Sequence, residues 1–207
     1  MHRTRAVIKT ALLGILLNLI LAGFKSFVGT ASGSISIISD AINNLSDSVS
    51  SIVTICGVIL ARKKPDKGHP HGHGHFEPIS AVVISIIIFT TGLSLLYESI
   101  QKIINPEVAS FSLPMLSIIL AGIVVKIFIS RHFINRGKTL KSSSLVASGK
   151  DAFFDVLISS GTLIGALITY FSGTTIDGWI SLLISAVVIK SAIEIAIENY
   201  PKIKQRK

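Results

Sequence analysis

Charge is scarce in this chain. Lysine, arginine, aspartate and glutamate make up 15% of its 207 residues, against roughly 25% in soluble domains. Mean hydropathy is +0.68, which excludes an ordinary water-soluble domain. There is one cysteine, Cys56. It rules out an intrachain disulfide and offers no thiolate cluster. No Walker loop is present, so nothing points to ATP as a source of energy. No internal repeat stands out. The apolar run after Met1-His2-Arg3-Thr4-Arg5 lacks a convincing small-residue cleavage site and reads as an uncleaved first span. Lysine and arginine are absent near 30–33, 105–110 and 172–175, and those three gaps order the rest.

What fills the chain is a succession of apolar segments, most near the roughly 20 residues that cross a bilayer. The implied fold class is an all-α membrane protein with six transmembrane helices in one domain, 1–207. The spans fall at about 6–30, 34–62, 77–104, 111–136, 142–171 and 176–199. Basic residues precede span 1 and follow span 6, and others lie between spans 2 and 3 and between spans 4 and 5. By the positive-inside rule both termini are cytoplasmic, as is a His-rich loop over 63–76. The formal charge of +9 therefore reads as a topology signal in a multi-pass protein of a bacterial cytoplasmic membrane, partnered by lipid and not by nucleic acid.

Span 2 holds a polar knot, Asp40-Ala-Ile-Asn43-Asn44-Leu-Ser-Asp47. Asn43 and Asp47 are four apart, so a helix sets them one turn apart on one face. Span 5 holds a second such pair, Asp151 and Asp155. Spans 2 and 5 run in opposite directions. Asp47 and Asp155 each lie about 20 Å along their own span, at 1.5 Å per residue. Both pairs thus reach mid-membrane, where carboxylates are costly and mark ion or proton pathways. Asn43, Asp47, Asp151 and Asp155 are read as one divalent-metal site. The lysines Lys25, Lys126, Lys150 and Lys190 are scattered along the sequence and suggest no pairing with it. Asp40, two turns from Asp47, is expected to serve access or structure.

Three carboxylates and an amide oxygen form an all-oxygen shell. Among transition metals it suits Mn²⁺ best, with Zn²⁺ second because zinc favours nitrogen and sulfur. Protons and a metal ion compete for the same carboxylates, so metal–proton antiport needs no further machinery. A second, weaker site lies in the loop, where four of the six histidines fall. Asp66, His69 and His73 lead it, with His71 and His75 beside them, and short His tracts bind transition metals. Gly161 and Gly165 permit close helix packing. Glu98 and Lys102 have the spacing of an ion pair, and Asp177 is expected as a helix-terminal carboxylate.

At these residues the chain resembles the cation diffusion facilitator family. The resemblance rests on Ser39–Ser48, Asp66–Glu77 and Ser148–Asp155 and runs over nearly the whole chain. It implies a homodimer that exports divalent cations against inward protons by alternating access. Carried over position by position, Asn43, Asp47, Asp151 and Asp155 match the transport site, and Asp66, His69 and His73 match the loop site. Members resembling zinc exporters carry His or Asp at the Asn43 position and His at the Asp151 position. The Asn-Asp-Asp-Asp set looks like the bacterial manganese exporters. Most members continue into a C-terminal cytoplasmic domain, which this chain is expected to lack.

The expected function is that of a Mn²⁺/H⁺ antiporter. The alternatives are a Zn²⁺, Fe²⁺ or Cd²⁺ exporter of the same architecture and, more remotely, a metal-binding sensor or scaffold without transport. An enzyme is not expected. An intramembrane protease would use two aspartates sharing a proton, but these pairs each lie within one helix at ligand spacing. No prosthetic group is expected.

Overall fold

Apolar stretches of this length can satisfy their backbone inside a bilayer only as helices. The computed structural model describes residues 2–32, 35–65, 72–106, 113–172 and 176–204. Those residues form six helices: α1 (His2–Ser32), α2 (Ile35–Ala61), α3 (Phe76–Ile104), α4 (Leu113–Thr139), α5 (Ser143–Ser172) and α6 (Asp177–Lys204). Five are long and apolar enough to cross a membrane by composition. The sixth, α5, is 30 residues long and carries Lys150, Asp151, Asp155 and six serines. The chain is a multi-pass membrane protein.

Helix ends differ from the expected spans where a specific contact extends them. α1 starts at His2 because Arg3 is held by the rest of the bundle. α6 continues through Pro201 to Lys204; a proline there removes one backbone hydrogen bond, which an exposed last turn tolerates. The expected Glu98–Lys102 pair does not form among the described residues.

The bundle mixes apolar side chains and hydroxyls inside and is apolar outside. Ser50, Ser85, Ser99 and Ser185 are all at most 2% exposed, while Leu16, Ile20, Phe27 and Leu183 are more than half exposed. Lipid exerts no hydrophobic drive between helices, so small residues and hydroxyls take the interfaces. α1 packs on α2, α4 on α5 and α3 on α6, and α2 also meets α3 and α5. A Cβ at Gly57 would lie 1.9 Å from the Ser80 hydroxyl, so at this point only the small Ser80 side chain separates α2 from α3. At Gly161 it would lie 2.4 Å from Ile184 Cδ1, and at Gly165 1.8 Å from Asp177 Oδ1. The glycine pair therefore gives α5 its close approach to α6, and Asp177 does open that helix.

Arg3 and Lys202 line one cleft of about 580 Å³, so both ends of the chain lie at the same end of the bundle, here the terminal end. Arg3 fastens it. Its guanidinium donates to both Glu77 oxygens at 2.9 Å, to the Leu140 carbonyl at 2.6 Å and to the Lys141 carbonyl at 2.9 Å. The last two lie in the turn that closes α4. There the Ser142 N–H donates to the Gly137 carbonyl at 2.8 Å and the Lys141 N–H to the Lys138 carbonyl at 3.2 Å. This paired arrangement usually ends on a left-handed glycine, but here Lys141 holds φ 49°.

Candidate metal centre

Polar residues recur at helical spacing on α2, so one face carries Asp47, Ser50, Ser51 and Thr54 into the bundle. α5 meets that face from the terminal end. The Thr54 and Ser148 hydroxyls are 2.9 Å apart, and Ser148 Oγ donates to the Ser50 carbonyl at 3.1 Å. Ser50 Oγ then donates to Asp151 Oδ2 at 2.5 Å. A run of hydroxyls thus leads from the terminal end of the α2–α5 interface to the first aspartate of α5.

One turn further on, α4 intervenes. Lys126 Nζ donates to Asp155 Oδ2 at 2.7 Å and also to Asp47 Oδ2. Its side chain is 7% exposed, against 19% for Asp47 and 24% for Asp155. Asp47 and Asp155 are therefore brought together around one ammonium group. Asp151 has no ion pair among the described residues, but the charges acting on it are Asp155, Asp47 and Lys126. Three carboxylates against one ammonium leave two formal negative charges. A second lysine pairs further along α2: Lys25 of α1 meets Asp40 Oδ2 at 3.3 Å.

The four residues of the expected site are thus not assembled alike. Asp47, Asp151 and Asp155 form one electrostatic cluster, whereas Asn43 is exposed and Asn44, its neighbour, is buried. Among the described residues no three His, Cys, Asp or Glu side chains stand close enough to hold a metal together. Of the loop residues, Asp66, His69 and His71 lie outside the described residues. His73 and His75 pack at the mouth of α3, with His73 stacked on Phe76 at 5.7 Å and on His75 at 6.4 Å.

Lys126, set aside in the sequence as a scattered lysine, does pair with the aspartates, and a signal for it existed. α4 starts at Leu113, so Lys126 lies about 20 Å along it at 1.5 Å per residue. That is the depth at which Asp47 and Asp155 lie on their own helices, and a buried ammonium at that depth needs carboxylate partners.

Residues 11–203 match the cation efflux transmembrane domain family. An uncharacterized transporter of Methanocaldococcus jannaschii is 33% identical over 195 residues, 94% of this chain and 69% of its own length. The manganese efflux system protein MneP of Bacillus subtilis is 32% identical over 186 residues, 89% of this chain and 61% of its own. The zinc transporter ZitB of Yersinia pestis is 27% identical over 173 residues, 83% and 55% respectively. The chain therefore spans between about half and two thirds of the length of these relatives.

Proposed function

Because the chain belongs to the family of cation efflux transmembrane domains, we propose that it exports a divalent cation, Mn²⁺ foremost, from the cytoplasm in exchange for protons. The observation that carries this reading is the convergence of Asp47, Asp151 and Asp155 from two opposed helices on one half-buried cluster. The donors there are oxygen, with no histidine or cysteine among them, which suits a hard cation and favours Mn²⁺ over Zn²⁺. Asn43 completes the set if α2 turns about its axis as the ion enters, since its side chain is exposed in the structure described. The manganese efflux role named for the Bacillus relative agrees with this donor set. The zinc role named for the Yersinia relative keeps a zinc exporter as the second reading.

On this reading the terminal end faces the cytoplasm, where the basic residues accumulate. Asp47, Asp151 and Asp155 bind the ion, and protons compete for the same oxygens from the other side. Thr54, Ser148 and Ser50 hold α2 against α5 on the cytoplasmic side. Asp40 offers a carboxylate on the external side, so alternating access amounts to opening one of these two contacts at a time. His73 and His75, together with Asp66, His69 and His71, would capture metal from the cytoplasm. The working unit is a homodimer in the cytoplasmic membrane.

The test is flux of Mn²⁺ and Zn²⁺ into proteoliposomes with and without a pH gradient. Mn²⁺ uptake that needs the gradient and is lost in Asp47→Ala is the expected result. Faster Zn²⁺ than Mn²⁺ uptake would remove the selectivity argument. Folded protein that binds metal without moving either ion would leave a binding protein.

A further inference from the structure

Lys126 approaches the aspartates from a third helix, and its ammonium sits between Asp47 Oδ2 of α2 and Asp155 Oδ2 of α5. That is the position a cation bound by both carboxylates would take. The residue is 5% exposed, so it has no alternative solvation from water where it stands. A divalent ion and an ammonium cannot share such a position, because they repel at contact distance and require the same oxygens. We infer that Lys126 is a tethered counter-cation that holds the Asp47–Asp155 pair whenever the divalent ion is not there, so that each ion enters by displacing it and leaves as it returns. This inference rests on the transport site proposed above.

Two consequences distinguish it from a lysine that merely neutralises buried charge. First, Lys126 weakens metal binding, since part of the ion's attraction is spent on moving the ammonium aside. Secondly, it speeds release, since the tethered amine competes for the carboxylates at an effective concentration no free cation reaches. Selectivity follows too. A monovalent ion gains too little from the same oxygens to displace an ammonium held by two of them, whereas a divalent ion gains about twice as much. Lys25 repeats the arrangement nearer the opposite end on Asp40, but one carboxylate makes a monodentate pair and not a site.

The experiment is Mn²⁺ binding to the purified chain by equilibrium dialysis, with initial uptake rates in proteoliposomes. It compares wild type, Lys126→Met, Lys126→Gln, Lys126→Arg and Asp47→Ala. Removing the charge is expected to tighten binding about tenfold or more, and to lower KM and the maximal rate together. Lys126→Gln keeps a polar donor and serves if the methionine variant does not fold. Lys126→Arg keeps the charge and is expected to stay within about threefold of wild type in affinity. Unchanged or weaker binding in both neutral variants, with binding lost in Asp47→Ala, would overturn the role of Lys126 and leave the site standing. Wild-type binding in Asp47→Ala would overturn the site itself and this inference with it.

Discussion

Two carboxylates one bundle-length apart show how differently its ends are built. At the terminal end, Glu77 is 6% exposed and receives both of its hydrogen bonds from Arg3. Toward the opposite end, Asp40 is 43% exposed and holds Lys25 at 3.3 Å. Around Glu77 the interfaces are closed by short neutral contacts as well. Val7, Val58, Phe133 and Leu145 join α1, α2, α4 and α5 at no more than 2% exposure, beside the hydroxyls of Thr54 and Ser148. Around Asp40, Phe27 and Ile42 stay more than half exposed. The difference teaches that α1 is clasped to its neighbours by a shielded, multiply bonded ion pair at one end and by a half-exposed single one toward the other, where α5 and α6 still meet closely at Gly161 and Gly165. The aspartate cluster lies at the boundary between the two, where a change of partner costs least.

The comparison can be broken most severely at that boundary. Replacing Asp47 or Asp155 with Ala strands the Lys126 ammonium on a single carboxylate and removes a proposed ligand. Mn²⁺ uptake in proteoliposomes is expected to fall to the level of protein-free vesicles. Next in size is the terminal clasp. Arg3→Ala leaves Glu77 buried and unpaired; because Arg3 itself is half-exposed, the expected loss is about 1–3 kcal/mol, the lower part of the range for broken buried pairs. A thermal melt in detergent checks it, and metal affinity should not change. Arg3→Lys should recover less than half, since an ammonium cannot fork across Glu77 and two carbonyls. Ser50→Ala tests the junction from the fastened side. Without its donor Asp151 is free to turn, and Mn²⁺ affinity should weaken up to about tenfold, as for other groups that orient a ligand.

Smaller effects belong to the looser end. Asp40→Asn leaves Lys25 unpaired on the proposed external route. It should raise the KM for Mn²⁺ offered at the external face about two- to fivefold at low ionic strength, an effect that fades with added salt as steering is screened. The smallest is a gain. Lys141→Gly relieves the left-handed residue that closes α4 and should stabilise by up to about 1 kcal/mol, since the strain it removes is partly returned as unfolded-chain entropy. A higher melting temperature with unchanged flux is the outcome that fits.

The fold was legible because its signals are local. Apolar length gives the helices, and the lysine-free links between them give their alternation. The aspartate pairs were legible for the same reason: a four-residue spacing in an apolar segment has one helical meaning. What escaped were the facts that depend on helix rotation. Asn43 and Asn44 differ by about 100° around α2, and only packing decides that Asn44 is the one turned inward. Lys126 was invisible as a partner because α4 is apolar around most of its circumference, so no periodicity says which side faces α2 and α5. Its depth was readable and its direction was not. Asp40–Lys25 escaped likewise, being a pairing across two helices whose mutual rotation the sequence leaves open.

The Arg3 clasp also has a bearing on how the chain is made. Arg3 precedes its two carbonyl partners by 137 and 138 residues, so during synthesis it waits through the emergence of four helices before those two contacts exist. Glu77 arrives first and can hold it. The turn at Leu140–Lys141 then completes the clasp and draws α1, α3 and α4 together in one step. The part made first is thus completed only after three further helices have followed it. A chain stopped within α4 would have that end held by the Arg3–Glu77 pair alone, without either carbonyl of the closing turn.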